Sequence, residues 1–312
     1  MSDRPRALLV LAWASLVANI GIVLTGGVVR LTGSGLGCPT WPRCTDESFV
    51  PHGSLGIHGA IEFGNRLLTF VLVAIAILTF VAAWRHGRRR LITIATVLAL
   101  GIPAQAVIGG ITVLTDLNPW IVALHLLVSL GIIALAVVLL RRILDGPGER
   151  APVVHPGFRT LTWAIAAAGW VVLYLGTIVT GSGPHAGDAD SPRNGLDPRA
   201  WSQFHADAVF LMVGLTIAAV ILLHVVDAPA RVRRPAYALL GVELAQGVVG
   251  FTQYYLGLPI VLVAVHLLGA ALTAAAIAWL VTSTRAPQSS TEAAVAQAKS
   301  GSRLTATNSS DR

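Results

Sequence analysis

Eight apolar stretches, each long enough to cross a bilayer, constrain this chain more than any other feature. They run near Ala7–Val29, Ile57–Trp84, Leu91–Leu114, Pro119–Leu140, Phe158–Thr180, Trp201–Val226, Pro235–Leu256 and Pro259–Val281. About 20 mostly apolar residues carry a helix through the hydrocarbon core. Strand-like alternation is absent, and an open chain satisfies its backbone groups in lipid only as helix. Charged residues make up 12% of the sequence and hydrophobic ones 54%, against roughly 25% charged in a soluble domain. The expected fold class is all-α: a polytopic membrane protein with eight transmembrane helices.

Lys and Arg orient those helices, because they concentrate in cytoplasmic segments. With the N-terminus inside, only Arg30, Arg43, Arg66, Arg193 and Arg199 of the 22 Lys and Arg fall outside. An even number of spans returns the C-terminus to the cytoplasm, so the expected location is the cell membrane, multi-pass. The net charge of +7 is then a topology signal, and nothing else in the sequence supports a nucleic-acid partner. No cleavable signal peptide is evident; the first span follows Arg6 directly and reads as retained.

An internal repeat divides the chain. Ala104-Gln105-Ala106-Val107-Ile108-Gly109 resembles Ala245-Gln246-Gly247-Val248-Val249-Gly250, and His125-Leu126-Leu127 returns as His266-Leu267-Leu268, all at one spacing. Thr32-Gly33-Ser34-Gly35 likewise returns as Thr180-Gly181-Ser182-Gly183 after the first span of each half. These matches predict two pseudo-symmetric four-helix bundles, residues 1–145 and 158–284. Between them, 146–157 is a cytoplasmic linker with Gly146, Pro147, Gly148, Pro152 and Pro156. Residues 285–312, rich in Ser, Thr, Ala and Gln, form an expected disordered tail.

His58, His125, His205 and His266 all lie within about two helical turns of the outer end of an even-numbered span. Ionisable groups in a membrane are costly and usually functional. A single histidine satisfied by a neighbouring hydroxyl or carbonyl is the plain alternative, and it explains a repeated pair poorly. Neutral imidazole binds zinc, copper or haem iron. Zinc calls for three or four converging ligands, often with Cys or carboxylate. Two imidazoles from facing helices across an apolar cavity suit haem better, with Gly109, Gly110, Gly247, Gly250 and Gly269 leaving room for the macrocycle.

The halves are unequal. The second span places His58, Glu62 and Asn65 on one broad face, where the sixth reads Gln203-Phe204-His205-Ala206-Asp207. The second half therefore offers His205 and His266, the first His125 with a carboxylate and an amide. That suits a resident cofactor beside a reacting centre. The alternative for Glu62 is an ion pair with Arg66 one turn on; Asp207 fits an ion partner or cap. Cys38 and Cys44, the only cysteines, flank Pro39-Thr40-Trp41-Pro42-Arg43 in the first outer loop. That oxidising side favours a disulfide, and both a redox or loop-shaping role and a plain staple fit it.

Together these features resemble the haem A synthases. The resemblance rests on Thr32-Gly33-Ser34-Gly35-Leu36-Gly37-Cys38-Pro39-Thr40-Trp41-Pro42-Arg43-Cys44, on Ile61-Glu62 with Asn65-Arg66, and on His125, His205 and His266 on successive even spans. It covers roughly residues 7–283. It implies an oxidoreductase that converts a ring methyl of haem O to the formyl group of haem A for cytochrome oxidase. His205 and His266 would hold a haem b cofactor, His125 would ligate the substrate haem iron, and Glu62 would be the essential carboxylate. Haem O synthase would supply the substrate and quinol is an electron-donor candidate, with membrane lipid around the whole. The family motif in the second span is Glu-x-x-His-Arg, and here Asn65 replaces its histidine. Either the substrate haem shifts toward His58, or its iron is held by His125 alone.

Two other classes remain. A b-type electron-transfer cytochrome needs histidine pairs on both membrane sides, and the inner leaflet offers only His86 and His224. A haem transport or delivery protein would favour helices broken at mid-membrane, for which Pro103 is the one candidate.

Overall fold

The structure is a computed structural model and describes residues 6–288. Eight long helices account for most of them: α1 (Arg6–Leu31), α2 (Gly56–His86), α3 (Arg89–Leu114), α4 (Pro119–Asp145), α5 (Pro156–Ser182), α6 (Pro198–Val225), α7 (Ala230–Tyr255) and α8 (Ile260–Ser283). All but α7 are long and apolar enough to cross a membrane. In α7 the expected span begins five residues earlier than its sequence suggested. Arg231, Arg233, Arg234, Glu243, Gln246 and Gln253 dilute its apolar character. Large apolar side chains such as Phe70, Trp163, Phe210 and Val261 stand exposed along these helices, which suits lipid and would be a liability in water.

Helix starts follow from local chemistry. Asn118, His155 and Asp197 each accept a backbone N–H in the first turn of α4, α5 and α6, and a proline follows each of them. A capping acceptor satisfies one orphan donor, and proline at the first helical position lacks the N–H that would be orphaned. At the other end of α2, Gly87 takes a left-handed conformation (φ 77°) and its N–H closes onto Ala83 and Trp84, as a C-terminal glycine does. Helix α3 runs unbroken through Pro103, so the interruption that would favour a transporter is not there.

Each half is a closed ring of four. Helices α1 to α4 pack in sequence with α4 returning to α1, and α5 to α8 repeat the pattern. The rings join chiefly along α4 and α8, with α1 against α8 and α4 against α5. Small residues permit the approach: Ala271, Ala274 and Ala278 of α8 are buried against Leu130, Ile133 and Ala136 of α4 in one shared core. Close packing of this kind, rather than release of water, holds helices together in lipid.

The two ends of the bundle differ. At one, Asp145 closes α4 with a side chain 4% exposed. It accepts two hydrogen bonds of 2.7 Å from Arg231 of α7, a third at 3.3 Å from Arg141, and an ion pair from Arg150. Beside it, β1 (Arg150–Pro152) pairs antiparallel with β2 (Arg285–Pro287), Ala151 opposite Ala286. The expected tail is therefore ordered at its start, because the linker offers it a strand partner; residues 289–312 lie outside the described residues. At the other end, where the histidines gather, Arg30 of α1 donates to the carbonyls of His185 (2.7 Å) and Thr180 (3.0 Å). The Gly35 N–H adds a bond to the Gly187 carbonyl at 2.8 Å. The end of α1 with the loop after it thus meets the end of α5 and the loop that follows it.

Candidate functional site

His205 near the start of α6 and His266 near the start of α8 bring their rings together. Their centroids are 6.4 Å apart with planes at 72°. His205 Nδ1 lies 3.0 Å from the Val172 carbonyl. That carbonyl is an acceptor, so the ring donates from Nδ1 and leaves the Nε2 lone pair free. His266 has no polar partner for its buried Nδ1 among the described residues. Glycines support both rings: a Cβ on Gly176 would stand 3.3 Å from Cε1 of His205, and one on Gly250 3.4 Å from Cε1 of His266. Gln246 of α7 donates to the His266 carbonyl at 2.8 Å, which pins the helix turn that carries the ring.

The first half repeats half of this arrangement. A Cβ on Gly109 would stand 3.3 Å from Cε1 of His125, and Gln105 donates to the His125 carbonyl at 3.0 Å. Gln105 also donates to Ser129, whose hydroxyl returns to the His125 carbonyl at 3.0 Å. His125 Nδ1 is likewise buried and unpaired among the described residues. The repeat read from sequence is therefore a repeated histidine seat: a glycine floor on the third helix of the bundle and a glutamine one turn below it.

On the second helix of each bundle, the halves part. Asn65 of α2 lies against Gly26 of α1, its Nδ2 3.9 Å from where a Cβ would stand. This parallels His205 of α6 against Gly176 of α5. Its Oδ1 accepts from Thr25 at 2.8 Å, so the amide is tied to α1. His58 is exposed and its Nδ1 pairs with Ser34 Oγ at 2.9 Å, with Ser34 in turn 2.8 Å from Thr32 Oγ1.

Glu62 is 5% exposed. Its Oε2 accepts the Cys38 backbone N–H at 2.5 Å, and its Oε1 accepts from Arg66 Nε at 3.1 Å and Nη2 at 2.5 Å. The ion pair with Arg66 is thus present. Arg66 goes on to donate to the carbonyls of Cys38, Thr40 and Arg43 at 3.0, 3.0 and 3.1 Å. Cys38 and Cys44 form a disulfide, both fully buried. A Cβ on Gly37 would overlap the His58 backbone, so this loop lies directly on the first turn of α2. Asp207, by contrast, accepts from Gln203 at 2.7 Å and caps nothing.

Of the five glycines expected to leave room for a macrocycle, two are filled. Trp41 of the cysteine loop occupies the space above Gly110, and the Gln246 amide occupies that at Gly269. Sequence reasoning missed both, along with Arg66 as the hub of the loop. The adjacent Gly109-Gly110 pair was the available signal for Trp41, since one glycine serves the histidine and the other remains for a bulky neighbour. Among the described residues, no three His, Cys, Asp or Glu side chains converge as a metal cluster. Paired or single imidazoles are what the bundles offer, and those suit a haem iron.

A profile of the family described as cytochrome oxidase assembly protein matches residues 9–57 and 57–192. A Staphylococcus epidermidis protein named heme A synthase is 27% identical over 219 residues, covering 64% of this chain and 71% of that protein. Proteins of the same name from Symbiobacterium thermophilum (30% over 186 residues) and Lysinibacillus sphaericus (36% over 182) align over 56% and 54% of this chain. Those two alignments span 59% and 57% of the relatives. The profile match takes in the cysteine loop, Glu62, Asn65, Arg66 and His125, while His205 and His266 lie beyond it and are paired by geometry alone. With more than half of its residues matched, this chain belongs to the cytochrome oxidase assembly protein family.

Proposed function

We propose that this chain is a haem A synthase, a membrane oxidoreductase that turns a ring methyl of haem O into the formyl group of haem A. The observation that carries the reading is the pair of unlike histidine seats. One is complete, with His205 facing His266; the other is open, with His125 over Gly109 and Trp41 of the loop that holds Glu62 over the adjacent Gly110. His205 and His266 fit a resident haem b, since His205 presents a free Nε2 and the buried His266 Nδ1 has no competing partner among the described residues. When bound there, haem b supplies one-electron transfer. A second seat with a single strong ligand leaves the substrate's iron less saturated, which suits a haem that must bind, react and leave.

Haem O is the substrate on this reading, seated by His125. Glu62 is held by three hydrogen bonds from two residues, so it presents a fixed negative charge where positive charge develops as the methyl is oxidised. Arg66 and the disulfide loop fix that carboxylate and, with Trp41 on Gly110, cover the seat. Each of two successive oxidations of the methyl carbon would place one atom of dioxygen on it while two electrons from the donor and two protons carry the other atom off as water; the resulting geminal diol loses water to the aldehyde. Asn65 is a poor iron ligand, and its bond to Thr25 keeps it on α1; the substrate iron is therefore held by His125 alone. Haem O synthase as supplier and quinol as donor complete the proposal.

All eight helices span the membrane in this account, with both chain ends cytoplasmic. The polar groups of α7 are compatible with it: Glu243 is 4% exposed and accepts from Thr216 at 2.8 Å, and Arg231 is paired with Asp145. The test is expression beside a haem O source, with extraction of pigments and mass analysis. Haem A is expected; unchanged haem O in cells that make the folded protein would overturn the assignment.

A further inference from the structure

Among the described residues, the arginines at the Asp145 end of the bundle outnumber the carboxylates that pair with them. Asp145 takes Arg141, Arg150 and Arg231. Burial first, and then the charges of Arg142, Arg231, Arg141 and Arg88, push Arg150 down to about 10. A second group of guanidinium ions stands beside this one. Arg142 lies among Arg90, Arg88 and Arg285, and Arg88 reaches its backbone carbonyl at 3.5 Å; among the described residues Arg142 makes no ion pair with a carboxylate. Its Nε is buried and unpaired among the described residues. Arg88 uses one nitrogen on the Gly146 carbonyl at 2.6 Å, leaving the rest of its fork.

The backbone compounds the imbalance. Arg89 and Arg90 open α3, a 26-residue helix with no acidic residue in its first turn and no side-chain cap on its N-terminus. A helix N-terminus carries partial positive charge and exposed N–H donors, so cations there are unfavourable and an anion is favourable. Four arginines from three separate segments, an unpaired buried N–H and an uncapped helix start thus converge on one place. Concentration of Arg at one membrane face explains their number but not this convergence.

We propose that Arg88, Arg90, Arg142 and Arg285 form a site for a phosphate group, filled in the membrane by the headgroup of an anionic phospholipid. Planar guanidinium forks bind phosphate oxygens in pairs, and basic pockets between helices on the cytoplasmic side suit anionic headgroups. The site lies where β2 returns to the linker between the bundles, so an occupant would tie the α2–α3 turn, α4 and the segment after α8 together.

The full chain in neutral detergent is titrated with phosphatidylglycerol, phosphatidylcholine or inorganic phosphate. Retained lipid is read by native mass spectrometry and unfolding temperature by scattering. Phosphatidylglycerol should be retained and should raise the unfolding temperature, with phosphatidylcholine inert. The Arg90→Gln/Arg285→Gln variant, altered only at exposed positions, should bind phosphatidylglycerol at least tenfold more weakly with unchanged helix content. Arg142→Gln should do the same. Protection by inorganic phosphate alone, lost in the same variants, supports the site and makes the free ion its occupant. Equal retention of both lipids, or wild-type retention by the double variant, overturns the proposal.

Discussion

The Cys38 amide donates to the Glu62 carboxylate at 2.5 Å, so the disulfide loop and the buried acid of α2 form one unit. Arg66 closes the unit from the other side by bonding Glu62 and the Cys38 carbonyl together. The sequence reading set an ion pair with Arg66 against a catalytic role for Glu62. The geometry removes that opposition, because a carboxylate clamped by an arginine is a fixed charge in a defined place.

Glu62→Gln keeps the shape and loses the charge. Product formation should fall by about 100-fold or more, the scale of losing an electrostatic contact made in the transition state. Haem retention should be unchanged. Arg66→Gln should also loosen the loop, since three carbonyls lose a charged donor. Quantifying haem A and total haem in each variant checks both statements; wild-type haem A yield in Glu62→Gln would contradict them.

Gly109, Gly176 and Gly250 act as floors beneath His125, His205 and His266. A Cβ at 3.3–3.4 Å requires a shift of only a few tenths of an ångström, so Ala should be tolerated. The branched side chain of Gly176→Val or Gly250→Val has no such room, and the imidazole must swing away. Bound haem per protein should drop several-fold in the Val variants and stay near wild type in the Ala ones. Equal haem content in Ala and Val variants would show that these contacts do not matter.

Asn65 takes the place on α2 that His205 takes on α6, within reach of a glycine on the preceding helix. Asn65→His should add a second low-spin haem signal in protein loaded with haem O, because an imidazole then stands on α2 against the preceding helix as His205 does on α6. His58→Ala should leave substrate binding near wild type, as His58 is committed to Ser34. Loss of substrate haem in His58→Ala would move the ligand to that residue.

Much of this was legible from sequence for a simple reason. Lipid imposes a length and an apolar composition on every span, so the helices announced themselves, and a duplication keeps its spacing, so His125 and His266 identified each other. Other features depend on chain segments far apart. Nothing local marks Arg150–Pro152 and Arg285–Pro287 as partners, and Gly110 and Gly269 look like vacancies until Trp41 and Gln246 are seen to fill them. His205 aligned imperfectly by offset, and only the fold brings its ring to within 6.4 Å of that of His266. Helix α7 hid its start because Arg231 is paired with Asp145, at the end of another helix, and Arg233 with Asp227.

Asp145→Asn removes the one carboxylate shared by Arg141, Arg150 and Arg231. Three guanidinium groups would then face one another with a neutral amide between them. Breaking a buried ion pair from one side costs about 3 kcal/mol or more, and the join between the bundles should weaken first. The unfolding temperature of the purified variant checks this, and a wild-type value would show that the network is dispensable.

The division of labour between the bundles is the central claim, and one absorption spectrum tests it most directly. In protein purified without haem O, the reduced-minus-oxidised spectrum should show a low-spin b-type haem. His266→Ala and His205→Ala should each abolish that signal, while His125→Ala and Glu62→Gln should leave it intact. A low-spin spectrum that survives in His266→Ala, or vanishes in His125→Ala, would put the resident haem in the wrong bundle and contradict the account.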